Sequence, residues 1–146
     1  MTKLSFERHV PFTPDQMLAL VADLNAYPDF VPNCSGMDVR AAPGQGDDIR
    51  IARMAVSFGP IEQAYSSRVM VDKDACSVAA TAIDGPFSHL DSKWQFDAES
   101  AGTLVRFDID FGFSNPLIAA AAGSVFSAKQ EEIVDAFMAE AARRYR

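Results

Sequence analysis

The chain has 146 residues, 49% of them hydrophobic, which is enough to bury the core of one domain over residues 1–146. Its 13 basic and 20 acidic residues give a net charge of -7, which disfavours direct contact with the phosphates of nucleic acid. Two cysteines and two histidines are too few for a disulfide framework or a metal site, so no metal is expected.

The first ten residues predict a strand and not a targeting segment. Leu4, Phe6, Arg8 and Val10 alternate with polar residues, which is the period of a half-buried strand. A secretory signal would show an apolar run, and a transit peptide an Arg- and Ser-rich helix, so we expect a cytoplasmic chain. The most apolar segment, residues 117–126, is too short to span a membrane, because a spanning helix needs about twenty apolar residues.

A helix and a stiff turn follow this strand. Thr13 precedes Pro14 in the order expected of an N-cap and a first helical residue, and apolar residues recur at helical spacing as far as Leu24. The helix is expected to end near Asn25. The next segment, Tyr27–Cys34, holds two prolines and two aromatic residues, and each proline also restricts the residue before it. We expect a stiff apolar turn here that borders a pocket.

The long middle segment, residues 35–113, predicts about six antiparallel strands. Residues 89–97 and 105–113 alternate cleanly, which gives each of these two strands one dry and one wet face. The other strands are less regular. Turn signals separate the strands at residues 43–46, 59–60, 72–74, 84–86 and 100–102.

A long helix is predicted from Asn115-Pro116 to the C-terminus. One stripe of this helix consists of Phe126, Gln130, Ile133, Phe137 and Ala141. A twisted antiparallel sheet with one dry face must cover that face, and this helix is the only element long enough to do so. The sheet should therefore curl around the helix.

This order of elements resembles the helix-grip fold of the START and Bet v 1-like proteins. That fold is an α+β arrangement in which a curled antiparallel sheet of about seven strands wraps around a long C-terminal helix. More narrowly, the chain resembles the coenzyme Q-binding START family, also labelled polyketide cyclase/dehydrase-like. The segments that carry this resemblance are Tyr27–Cys34, the turn Asp84–Phe87 followed by Leu90, Trp94 and Phe96, and the helix from Phe126 through Val134 to Phe137.

The resemblance implies an internal tunnel for an apolar ligand. The leading ligand is an isoprenoid quinone such as ubiquinone, held by a non-catalytic, chaperone-like protein in support of respiration, with no cofactor besides that ligand. Such a carrier would make transient contact with the inner face of the membrane. RatA-like members are instead toxins that block association of ribosomal subunits, so a ribosomal subunit is the alternative partner. A polyketide cyclase-like enzyme is the second alternative.

Twelve side chains are predicted to contact the ligand, by the resemblance together with the alternation of the strands. The run of small residues at 119–123 is expected to face the sheet and to leave the space unfilled. The alternative is that these aromatic residues are ordinary core. The twelve are Tyr27, Phe30, Val31, Pro32, Phe87, Leu90, Trp94, Phe96, Phe107, Phe111, Phe126 and Phe137.

Catalytic residues are not indicated, because the predicted inner face offers no nucleophile beside an acid or base. Ser92 falls on that face and is most simply a small residue next to Trp94. His9 and His89 lie at strand ends and are expected at the surface. An inward arginine could bind a quinone oxygen. The pattern leaves open which way three side chains point: Arg53, Tyr65 and Arg68.

Overall fold

The computed structural model describes residues 2–42, 44, 46, 48–58 and 61–145. Its strands are β1 Thr2–Val10, β2 Cys34–Ala41, β3 Ile49–Phe58, β4 Ile61–Asp72, β5 Ser77–Ala82, β6 Phe87–Glu99 and β7 Gly102–Phe113. Its helices are α1 Pro14–Ala22, α2 Tyr27–Phe30 and α3 Pro116–Arg144, with a 3-10 turn at Leu24–Ala26. The predicted order of strand, helix, turn, six strands and long helix is confirmed.

All seven strands belong to one antiparallel sheet in the order β1-β7-β6-β5-β4-β3-β2. Strands β2 to β7 form a meander, and β1 returns to pair with β7, from Thr2 opposite Phe111 to Val10 opposite Thr103. Helix α3 contacts β1, β7 and β3, which belong to opposite halves of the sheet. The sheet therefore curls around α3, and the predicted helix-grip arrangement is confirmed.

The turns that link these strands agree with the predicted ones where they can be compared. Residues 72–74, 84–86 and 100–102 lie at the connections from β4 to β5, β5 to β6 and β6 to β7. The predicted turn at 59–60 lies outside the described residues, and the one at 43–46 lies partly outside them.

The clean alternation of β6 and β7 gives the sheet its dry face. Trp94 stands opposite Phe107 and Leu90 opposite Phe111, and all four side chains are buried. On the other face Lys93 stands opposite Asp108, and both are exposed. The inward residues of these strands belong to the hydrophobic core.

The segment after α1 departs from its predicted form. Thr13 and Gln16 form a capping box, so α1 begins as expected. The helix ends at Ala22, however, and the proline-rich segment predicted as a turn contains the short helix α2. Pro28 is its second residue, where a helix does not need a backbone N–H as a donor. Proline therefore starts a new helical turn here after the 3-10 segment has redirected the chain.

A cap and several side-chain hydrogen bonds hold the long helix in position. Asn115 caps its first turn, with Leu117 N donating to Asn115 Oδ1 at 2.8 Å. Arg8 on β1 donates to Glu131 and Asp135, each at 2.9 Å. At the other end, Arg144 donates to Asp23 at 3.1 Å, and Tyr145 Oη donates to Gln16 O at 2.9 Å. No helix in the described part of the chain is long and apolar enough to cross a membrane.

Candidate functional site

A cavity lies between α3 and the concave face of the sheet, with a volume of about 130 Å³. Its wall combines side chains from six strands, β2 to β7, from the α2 segment and from α3. A water takes up roughly 30 Å³ in the liquid, so the cavity has room for about four waters. The side chains of the protein therefore do not fill the space between the sheet and the helix.

The space remains unfilled because most inward residues of β3, β4 and β5 are small. The inward positions of these strands that line the cavity include Ala52, Ser67, Val69, Val78 and Ala80. None of these side chains is long enough to reach far toward α3. A close-packed interior would require larger ones at such positions.

The predicted source of the space was wrong. Residues 119–123 of α3 do not line the cavity. Ala120 and Ala121 are exposed, and Ala122 is buried near Phe126. Each helical residue is turned by about 100° from the previous one, so a run of five consecutive small residues cannot all face the sheet. The position of each residue around the helix, and not the composition of the run, decides which residues face the sheet.

Two aromatic clusters border the cavity along α3. Phe137 packs against Tyr27, Phe30 and Trp94, with ring centroids 5.2, 5.0 and 4.9 Å away. We call this group the Phe137 cluster. The Phe126 cluster consists of Phe126 with Phe87, Phe111 and Phe113, at 5.3, 4.7 and 5.9 Å.

The cavity lies between these clusters. Phe126 and Phe137 are eleven residues apart in one helix, or about 16 Å along its axis. Both of them line the cavity, as do Gln130 and Ile133 between them. The clusters thus border an apolar space along α3 that the side chains of the protein leave unfilled.

Eight of the twelve predicted contact residues line the cavity. Four do not. Phe30 packs on the outer side of Phe137, and Phe87 and Phe111 belong to the Phe126 cluster. Phe96 lies in the core beyond Trp94 on β6. Whether any of the twelve touches a ligand stays a prediction. The eight that line the cavity are Tyr27, Val31, Pro32, Leu90, Trp94, Phe107, Phe126 and Phe137.

Sequence patterns did not identify most of the wall formed by the central strands. Met37, Met54 and Tyr65 point inward, and Tyr65 stands opposite Met54 across β3 and β4. The inward set of β4 continues with Ser67 and Val69, so its alternation was readable once the facing of Tyr65 was known. Alanine and serine give too little contrast between the two faces of a strand to reveal that facing alone.

The three side chains whose direction was left open divide between the faces of the sheet. Tyr65 lines the cavity. Arg53 and Arg68 are exposed on the outer face, where Arg53 Nη1 donates to Ser66 Oγ at 3.3 Å and lies 3.7 Å from Asp84. Neither arginine is therefore available to a ligand inside the cavity.

Five polar side chains line the otherwise apolar space: Tyr27, Tyr65, Ser67, Ser92 and Gln130. Gln130 is only 3% exposed, and its Nε2 donates to Phe126 O at 3.0 Å. Ser67 is 8% exposed. Burial raises the pKa of Tyr65 to about 12, so its hydroxyl stays protonated at neutral pH. The hydroxyl lies 3.9 Å from the sulfur of Met54, a weak acceptor.

The histidines lie away from the cavity. His9 Nδ1 is 2.9 Å from Glu99, and the hydrogen bond with that carboxylate raises the pKa of His9. His89 Nε2 is 2.9 Å from Asp110 on the outer face. No group of three or more His, Cys, Asp or Glu side chains among the described residues is arranged to hold a metal ion. Among the described residues that line the cavity there is no acidic, basic or histidine side chain.

A curled seven-stranded sheet around a long helix, with an apolar cavity between them, defines a START-like, helix-grip protein. The family model described as "Polyketide cyclase / dehydrase and lipid transport" matches residues 10–138, and the chain belongs to this family. Its relatives include RatA-named proteins and a coenzyme Q-binding protein, which confirms the predicted resemblance.

Three comparisons indicate the range of the family. The chain is 33% identical to the ribosome association toxin RatA of Escherichia coli K12, over 99% of this chain and 90% of that protein. It is 27% identical to the mitochondrial coenzyme Q-binding protein coq10 of Schizosaccharomyces pombe, over 92% and 83%. The crystal structure of the Zhui aromatase/cyclase of Streptomyces sp. R1128 superposes with a TM-score of 0.87 over 99% and 96%, at 17% identity. At that identity the last comparison shows the fold alone.

Proposed function

We propose that this protein is a non-catalytic binding protein for an apolar ligand, most simply an isoprenoid quinone such as ubiquinone, and that it acts as a chaperone in support of respiration. The cavity of about 130 Å³ carries this proposal, because its walls are apolar except for five uncharged polar side chains. The 27% identity to a coenzyme Q-binding protein supports the choice of ligand. Residues 1–146 would act as one START-like domain.

The size of the cavity suits the ring of such a ligand better than its tail. A cavity of about 150 Å³ can hold one benzene molecule, so a volume of about 130 Å³ is close to that of a single six-membered ring. In this proposal the ring lies between the Phe126 and Phe137 clusters, and the isoprenoid tail extends out of the cavity.

The energetics require contact with a membrane. Burying an isoprenoid tail gains about 0.8 kcal/mol per methylene relative to water. A bilayer is equally apolar, so transfer from the bilayer to the protein gains little. A cytoplasmic carrier would therefore take up its ligand during transient contact with the inner face of the membrane.

The proposal is tested by extracting the purified protein with organic solvent and by native mass spectrometry. Wild type should carry an apolar compound or bind an added quinone. Ala80→Phe, which places a ring in the cavity, should abolish binding while circular dichroism stays native. Ala79→Phe is the matched control, because Ala79 pairs with Met70 and Lys93 on the outer face. Equal binding by both variants, or no binding by wild type, would overturn the proposal.

A ribosome-directed role is the second candidate, and the 33% identity to a ribosome association toxin favours it. The net charge of -7 opposes broad contact with ribosomal RNA. In this alternative the protein would co-sediment with ribosomal subunits, and Ala80→Phe would co-sediment as well as wild type. Loss of co-sedimentation in that variant would instead link the cavity to the ribosome.

Cyclase chemistry is the third candidate, because the fold is shared with an aromatase/cyclase. Closure of a linear polyketide would have to depend on the shape of the cavity and on its hydroxyl and amide groups. Turnover of linear polyketides by wild type and its loss in Ala80→Phe would support this candidate. Inactivity across a panel of chain lengths would exclude it for those substrates.

A further inference from the structure

The Gln130 amide presents an acceptor to the cavity. Its Nε2 donates to Phe126 O at 3.0 Å, and since a carbonyl oxygen can only accept, this contact fixes which end of the amide is nitrogen. The remaining atom, Oε1, can only accept a hydrogen bond. Gln130 lines the cavity and is 97% buried, so the partner of that oxygen must come from within the protein or from a ligand.

Hydroxyl groups stand across from Gln130 on the sheet. Tyr65 and Ser67 lie on the inner face of β4, and Ser92 lies on that of β6. The Tyr65 hydroxyl lies 3.9 Å from the sulfur of Met54, and this contact is a weak hydrogen bond at best. Ser67 is 92% buried, with its side chain toward the cavity. These hydroxyls can donate to an oxygen of a ligand.

The two walls therefore offer different hydrogen-bonding groups to a ligand held between them. The Gln130 oxygen on the helix side can only accept a hydrogen bond, whereas the hydroxyls on the sheet side can donate as well as accept. A purely apolar occupant would leave these buried groups unpaired, which is costly for each of them. A quinone ring has carbonyl oxygens, which only accept. A hydroquinone ring has hydroxyl groups, which both donate and accept.

We propose that Gln130, Tyr65 and Ser67 form a polar recognition site that selects a ring bearing a free hydroxyl, so that the protein prefers the hydroquinone over the quinone form of its ligand. This inference rests on the proposed binding function and specifies which chemical form is bound. Gln130 accepts from one ring hydroxyl, while Tyr65 and Ser67 donate to oxygen on the ring.

The test compares a ubiquinone with a ten-carbon saturated tail and its hydroquinone, the latter kept under argon, by isothermal titration calorimetry. Wild type should bind the hydroquinone about tenfold more tightly, the size of one net hydrogen bond. Gln130→Met keeps the length of the side chain but removes the acceptor, and it should bind both forms with similar affinity. Ser67→Ala should weaken both forms by a few-fold. Ser66→Ala, whose hydroxyl faces Arg53 on the outer face, should weaken neither.

Several outcomes separate this inference from the function on which it rests. Equal affinity of wild type for both forms, or a preference that persists in Gln130→Met, would overturn the inference and leave the binding function standing. Binding of neither form, with no apolar compound in the extracts, would overturn both. The wild-type comparison decides the matter even if Gln130→Met does not fold.

Discussion

The two halves of the sheet face the same helix but fill the space beneath it differently. The inner face of β6 and β7 carries large side chains, and its aromatic rings reach those of α3, as Trp94 reaches Phe137 at 4.9 Å. The inner face of β3, β4 and β5 carries alanine, serine, valine and methionine at most of its positions. We call these the filled half and the open half. The same alternation of faces runs through both.

The size of the inward residues, and not the arrangement of the backbone, creates the cavity. A helix in contact with a curled sheet cannot approach both halves equally once large residues occupy one of them. The Phe126 and Phe137 clusters hold α3 at the distance that their rings require, and small residues on the open half cannot span what remains. A change in the size of an inward side chain should therefore affect the free energy of unfolding differently in the two halves.

Removing the α3 ring that packs against the filled half should have the largest effect. Phe137 is 2% exposed and contacts three aromatic rings. Phe137→Ala should lower the free energy of unfolding by about 3 to 5 kcal/mol, because the neighbouring rings can collapse only partly into the vacated space. Urea denaturation measures this loss. Leu117→Ala, on the exposed side of α3, is the control and should change stability by less than about 0.5 kcal/mol. A loss below about 1 kcal/mol for Phe137→Ala would show that the cluster does not hold the helix.

Adding one methylene should distinguish the halves more sharply. Val105 on β7 is 1% exposed in the filled half, and Val78 on β5 is 4% exposed but lines the cavity. Val105→Leu should lower the free energy of unfolding by about 1 to 3 kcal/mol through overpacking. Val78→Leu should change it by less than about 0.5 kcal/mol, because its added atoms enter open space. Equal losses for the two variants, measured by urea denaturation, would contradict the distinction between the halves.

The fold was predictable because large apolar residues indicate which face of a strand or helix is buried. The alternation of residues 89–97 and 105–113 and the stripe from Phe126 to Phe137 each combine bulky apolar residues with charged ones. That contrast identifies the buried face of a strand or helix directly. Once one dry face and one long helix were recognised, the wrapping of the sheet followed.

The site was predictable only on its filled side, for the same physical reason. Aromatic residues such as Trp94 and Phe107 line the cavity, and their alternation indicated the inner face, but the hollow depends on residues as small as Ala80, whose type does not indicate a direction. The small residues of α3 were misassigned because composition was used where only helical phase decides. Phe96 was assigned to the cavity because alternation gives the face of a strand but not the depth along it, and Phe30 because it belongs to the proline-rich segment that was expected to border the pocket.

Charge also fixes the helix end beside the Phe137 cluster. Glu140 accepts hydrogen bonds from Arg143 and Arg144, and these bonds lower the pKa of Glu140 from its usual 4.5 to about 2. A carboxyl with a lowered pKa stabilises the fold above pH 4.5, and this contribution disappears as the pH falls toward 2. Glu140→Gln should therefore lower the free energy of unfolding by about 1 kcal/mol at pH 7 and by much less near pH 2.

Glu132 provides the control for this prediction, because its ion pair with Lys129 lies on the exposed side of the same helix. Glu132→Gln should change stability by less than about 0.5 kcal/mol at either pH. Urea denaturation at pH 7, 4 and 2.5 gives the comparison. A loss for Glu140→Gln that does not depend on pH would show that packing, and not the charge, is responsible.

The smallest expected effects come from removing single hydroxyl groups. The Tyr27 hydroxyl donates to Val21 O at the end of α1, so Tyr27→Phe leaves that carbonyl without its partner and should lower the free energy of unfolding by about 1 kcal/mol. The Tyr65 hydroxyl in the open half contacts the sulfur of Met54 at 3.9 Å, so Tyr65→Phe should change stability by less than about 0.5 kcal/mol. Ligand affinity, measured by calorimetry with the hydroquinone, should show the reverse order, since Tyr65 is free to donate to a ligand whereas Tyr27 is engaged with the backbone. If Tyr65→Phe proves the more destabilising of the two, its hydroxyl serves the fold, and the open half is not adapted to hold a ligand.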